Sequence, residues 1–91
     1  MMLIRTQDKK GIVNLDNMES LWISEVDSGF DITIAFSDGA YVIGQYTSET
    51  QVLEVLDLIE EEYKRAVTNI VGSMMVIPPK VFHMPEDWNK V

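Results

Sequence analysis

The spacing of apolar positions changes once along this chain. Before residue 47 they fall in short runs, several alternating with polar residues; from Val52 to Ile70 they recur at i, i+3, i+4 and i+7. The first pattern predicts strands and the second one amphipathic helix within Thr47–Ile70. At about 100° per residue, Val52, Val55, Leu56, Ile59, Tyr63, Ala66, Val67 and Ile70 share a stripe. Glu54, Asp57, Glu61 and Lys64 fall on the far side. Ser48 followed by Gln51 predicts a capping box, each residue satisfying the other's amide. Glu49 in the first turn, and Lys64 and Arg65 near the end, suit the helix dipole. Gly72 supplies the stop. Leu53 and Leu58 flank the stripe on opposite sides and widen it beyond what one small sheet needs.

The strand region reads in order. Met2–Thr6 and Ile12–Leu15 form a hairpin across Asp8–Gly11, with Gly11 available for positive φ. Asp16–Glu19 is a turn or a single helical turn. Ser20–Val26 places Leu21, Ile23 and Glu25 on one face and Trp22, Ser24 and Val26 on the other. Phe30–Phe36 alternates most cleanly, and Asp38-Gly39 suits the centre of a two-residue hairpin. That turn sets Phe36 opposite Tyr41, Ile34 opposite Ile43 and Ile32 opposite Gln45. Phe30, Ile32, Ile34, Phe36, Tyr41 and Ile43 then seat the helix. The reverse face holds Asp31, Thr33, Ala35, Val42, Gly44 and Tyr46, with Gly44 marking a shallow spot or a bulge. Beyond the helix, Met74–Ile77 and Val81–Met84 are short strand candidates separated by Pro78-Pro79. The expectation is one α+β domain over residues 1–91. It has an antiparallel sheet of about five strands on one long amphipathic helix, with one or two short C-terminal strands.

Composition narrows the class. A 91-residue chain with 46% hydrophobic residues forms one small globular domain. It has no cysteine, no signal-peptide pattern and no apolar run long enough to span a membrane, so a soluble cytoplasmic protein is expected. Net charge is −8, which opposes direct nucleic-acid binding, since that requires a basic footprint. An acidic surface either solubilises the chain or imitates a phosphate backbone and occupies a nucleic-acid-binding protein.

Candidate chemistry is sparse. His83, the only histidine, sits between Phe82 and Met84 and reads as an edge-strand residue. Glu60, Glu61 and Glu62 point in different directions on a helix and cannot converge on one ion. Glu25, Asp27 and Asp31 surround one turn but match no ion-binding loop. No phosphate-loop, zinc or EF-hand motif occurs. These features predict a non-enzyme with no catalytic residue, metal or cofactor. The C-terminal segment is dense in soft and aromatic side chains. Met74, Met75, Phe82, Met84 and Trp88 either fill the core or, with Leu53 and Leu58, form the candidate interface of a homo-oligomer or of a complex with a host protein. A nucleotide ligand would call on Arg5, Lys9 and Lys10 for phosphate, and on Tyr46 or Trp88 for the base.

RTQDKKGIVNLDN, GQYTSE, VLEVLDLIEE and VFHMPED together resemble a group of short, uncharacterised proteins carried by Gram-positive bacteria, their prophages and phages. The resemblance implies an accessory or host-interaction protein and not a metabolic enzyme. It also admits two anti-defence roles: sequestering a nucleotide signal in an oligomer, or masking a nucleic-acid-binding surface.

Overall fold

A computed structural model of the chain describes residues 2–68 and 80–88. The described elements are β1 (Met2–Arg5), β2 (Ile12–Asn14), a 3-10 turn (Leu15–Asn17), β3 (Ser20–Val26), β4 (Gly29–Phe36), β5 (Gly39–Tyr46), α1 (Glu49–Thr68) and β6 (Lys80–His83). The α+β class holds, but the single five-stranded sheet does not form. The strands divide into two three-stranded sheets, ordered β2-β1-β6 and β3-β4-β5. The division falls at the 3-10 turn. Asn14 caps that turn by accepting the Asp16 amide, and Leu15 is buried within it. The chain is thereby re-aimed, and β3 starts a new sheet. β6 pairs with β1 in parallel, with Leu3 opposite Val81 and Arg5 opposite His83, so one sheet is mixed. Of the two C-terminal strand candidates, the second is β6; Met74–Ile77 lie outside the described residues.

Both hairpins of the second sheet use two-residue links followed by glycine. Asp27-Ser28 joins Val26 to its partner Gly29, and Ser37-Asp38 joins Phe36 to its partner Gly39. Gly29 and Gly39 take φ of +146° and +150°, a region costly for any side chain. Gly39 is therefore the first paired residue of β5 and not the second residue of the link. Ile34 faces Tyr41, not Ile43.

A bulge then changes the facing of β5. Thr33 pairs with Val42 and Ile32 with Gly44, which leaves Ile43 as the extra residue. Side chains alternate strictly along a strand, so one added residue reverses the alternation. Ile43, Gly44 and Tyr46 are buried, whereas Tyr41 and Val42 are exposed. Tyr46 and Gly44 thus belong to the core side, reversing the sequence-based assignment, while Tyr41 keeps the face of its partner Ile34, beside the Phe36 ring, but stands exposed. In the Asp8–Gly11 turn, the positive φ belongs to Lys9 (66°) and not to Gly11.

The core joins both sheets to the helix. Ile32, Ile34, Ile43 and Tyr46 meet Val52, Val55 and Ile59 of α1, with Met2, Ile4, Leu15 and Met84 closing around them. Burying each such side chain contributes roughly 1.5–3 kcal/mol. Leu56 and Tyr63 are half-buried at the stripe's margins. The side chains of Ala66, Val67 and Ile70, and the stop at Gly72, lie outside the described residues. Ser48 does cap α1, its Oγ accepting the Gln51 amide at 3.3 Å. The reciprocal half of the box does not form, because the Gln51 side chain turns to the C-terminal segment instead.

Candidate functional site

Three segments converge at one end of the second sheet: the turn after β1, the end of β5, and residues 84–88. Gln7 anchors the first. Its backbone amide donates to the Ile43 carbonyl at 2.9 Å. Its side-chain Oε1 accepts the Gln45 amide at 2.7 Å, and its Nε2 donates to the Gln45 carbonyl at 3.0 Å. One amide side chain thus satisfies both backbone groups of a residue on the edge of β5. Nε2 also reaches the Pro85 carbonyl at 3.1 Å, which accepts the Tyr46 hydroxyl at 2.6 Å as well.

The C-terminal segment is held along its length. Met84 donates its amide to the Arg5 carbonyl at 3.1 Å. Gln51, almost wholly buried, donates to the Glu86 carbonyl at 2.8 Å and accepts the Trp88 amide at 2.9 Å. Asp87 accepts from the Thr47 hydroxyl at 3.0 Å and from its amide at 3.3 Å.

These contacts frame a cleft of about 400 Å³. Asp8, Asp31, Glu86 and Asp87 line it, with Phe30 and Tyr46 supplying aromatic wall. The Thr6 hydroxyl and the Lys10 amide hydrogen-bond to Asp8 and hold its carboxyl below the usual range. Burial, with the nearby Asp87 carboxylate, pushes the Tyr46 phenol well above its ordinary value, so its proton stays on and donates to Pro85. The cleft therefore offers negative charge and hydrogen-bond acceptors beside an apolar wall. Among the described residues, no three His, Cys, Asp or Glu side chains are placed to share a metal ion.

The suggested phosphate contacts do not form a cradle. The Arg5 guanidinium donates twice to the Lys9 carbonyl, at 3.2 and 2.9 Å. Lys9 pairs at 3.8 Å with Glu86, both exposed, and Lys10 is exposed on the same turn. The Tyr46 ring is buried and cannot stack on a base from solvent. The four carboxylates of the cleft oppose a phosphate beside it. Asp31 joins Asp8, Glu86 and Asp87 here and does not share a site with Glu25 and Asp27.

The suggested interface residues separate. Leu53 and Leu58 are each 48% exposed on α1, and Trp88 is 59% exposed. Met84 is a core residue and Phe82 packs half-buried against the core, so these two fill the core while Leu53, Leu58 and Trp88 stay exposed. The reason is the parallel pairing of β6 with β1, which draws this segment inward. Met74 and Met75 lie outside the described residues. His83 is exposed on β6. Glu60 pairs with Lys64 at 3.1 Å, and Glu62 pairs with Arg65 at 3.5 Å and with Lys80, so these acids serve ion pairs.

Sequence reasoning missed Gln7, and it gave Gln51 only a part in the helix cap, not its hold on the C-terminal segment. Each is a lone amide in a polar stretch, and partners 35 or more residues away give no local signal. It also missed a row on the outer face of the second sheet. Trp22 of β3 lies opposite Thr33, which lies opposite Val42 of β5, and both Trp22 and Val42 are exposed.

No helix among the described residues is long and apolar enough to cross a membrane. The chain matches no family model, no curated protein and no solved structure.

Proposed function

We propose that this chain is a non-enzymatic interaction protein of phage or prophage type that acts as a self-associated unit. The row Trp22–Thr33–Val42 carries the self-association reading. A tryptophan and a valine stand exposed on one sheet face, joined by direct cross-strand pairing. Apolar surface of this kind favours a partner that removes it from water, and tryptophan is prominent at interface centres. Leu53 and Leu58 add exposed apolar surface on the helix. Multi-angle light scattering over a concentration series tests the reading. A mass at least twice the 10.4 kDa of one chain is expected, and a monomer throughout overturns self-association.

The acidic cleft favours a second reading, a mimic that occupies a nucleic-acid-binding protein. Asp8, Asp31, Glu86 and Asp87 line one concave surface on a chain of net charge −8. A basic partner captured this way dissociates as salt screens the charges. Binding to a nucleic-acid-binding domain, measured by calorimetry at low and high salt, is expected to weaken steeply. Salt-insensitive binding overturns this reading.

A further inference from the structure

We infer that the outer edge of β3 docks a second copy of this chain, antiparallel and about a two-fold axis at Ser24, making one six-stranded sheet from two of three. This rests on the self-association reading above and names the surface responsible.

β3 pairs with β4 on one side only. Among the described residues nothing pairs with its other edge over Ser20–Val26, seven residues long. Such an edge leaves a row of backbone donors and acceptors ready for another strand. The remaining edges are shorter or closed. β2 has three residues and β6 four. Gln7 occupies the edge of β5 at Ile43 and Gln45, which leaves only the four residues from Gly39 to Val42. β3 has few of the usual guards against pairing. It contains no proline and no lysine, and Glu25 is its only charge.

Charge selects the register. This chain carries acids at Glu19, Glu25 and Asp27 around β3. Centring the two-fold on Trp22 sets Glu25 opposite Glu19 of the second copy. Centring on Ile23 sets Glu19 opposite Asp27, and centring on Glu25 sets that residue opposite itself. Centring on Ser24 keeps every acid from facing an acid. It also pairs Trp22 of each copy with Val26 of the other, both 39% exposed in the single chain. An aromatic residue beside a β-branched one is a favourable cross-strand pair.

A groove beside the edge fits the same arrangement. Ile23, Phe30, Val52 and Leu53 line it, with Glu25 and Glu49 at its polar side, and its volume is about 290 Å³. In this register Ile23 of the second copy lies opposite Glu25, at the groove's lip and on the helix-facing side of the sheet. Leu53, exposed in the single chain, gains an apolar neighbour there. The association is isologous and uses each β3 edge once, so it closes at a dimer.

Ser24→Lys tests the inference. The substitution sets two like charges opposite each other at the axis while lowering the chain's net negative charge. A general repulsion effect would therefore strengthen association, whereas contact at the axis weakens it by on the order of tenfold or more. Sedimentation is expected to show a dimer for the unaltered chain and a monomer for Ser24→Lys with its circular dichroism unchanged. A dimer that survives Ser24→Lys overturns the β3 surface and leaves self-association standing. A monomeric unaltered chain removes both. Trp88→Phe makes Trp22 the only tryptophan and decides the matter should Ser24→Lys unfold. Its emission is expected to shift to the blue with rising protein concentration, and an unmoved emission across the dimerisation range overturns the proposal.

Discussion

The side chain of Gln7 pairs with the backbone of Gln45 as a neighbouring strand would, accepting its amide at 2.7 Å and donating to its carbonyl at 3.0 Å. Residues 38 apart in sequence are joined, and the turn after β1 is fastened to the second sheet. The same Nε2 reaches the Pro85 carbonyl, so one amide ties three segments together.

Gln7→Ala leaves the Gln45 amide and carbonyl to water and removes a donor from Pro85. A loss of about 1–2 kcal/mol is expected by urea unfolding, the range for groups left without their partners at a partly buried site. A change below a few tenths of a kcal/mol would mean that water replaces the side chain fully.

Gln51→Ala acts on the C-terminal segment. The residue is buried, and its amide serves the Glu86 carbonyl and the Trp88 amide. Truncation is expected to lower stability by about 1–3 kcal/mol. It should also speed hydrogen exchange at the Trp88 amide more than at amides in the middle of α1. Equal changes at both sites would show global destabilisation without local release.

Gly44→Ala probes the bulge. An added Cβ would stand 2.9 Å from Met84 Cε and 2.9 Å from the Tyr46 ring. The methionine end can swing aside, but the Tyr46 ring is pinned by its hydroxyl bond to Pro85. Overpacking of about 1–3 kcal/mol is expected by thermal unfolding. The double variant Gly44→Ala, Met84→Ala should lose less stability than the two single changes summed, because Met84→Ala removes the methionine clash.

Tyr46→Phe separates a hydrogen bond from a proton. Below pH 10 the loss is that of the bond to Pro85, about 0.5–1.5 kcal/mol. Above the ordinary tyrosine value near 10 the unfolded chain ionises while the folded phenol, raised by burial and by Asp87, keeps its proton. The unfolded state then binds fewer protons, so stability falls as pH rises toward the folded value. Unfolding free energies from pH 9 to 11 are expected to fall more steeply for the native chain than for Tyr46→Phe. Parallel slopes would show that the Tyr46 phenol ionises alike in both states.

Local pattern alone determined most of the elements. Alternation along Ser20–Val26 and Phe30–Phe36 and the 3.6-residue period through Val52 and Ile59 mark β3, β4 and α1, because periodicity is a property of neighbouring residues. The seating of Val52, Val55 and Ile59 on Ile32 and Ile34 followed from the same faces. The division into two sheets, the bulge at Ile43 and the parallel docking of β6 were decided only in three dimensions. A single extra residue in β5 turned Tyr46 from the expected outer face into the core, and no local composition distinguishes that outcome from unbroken pairing. The acidic cleft has the same origin: Asp8, Asp31, Glu86 and Asp87 come from three distant segments, and long-range contacts at Gln7, Tyr46 and Gln51 assemble them.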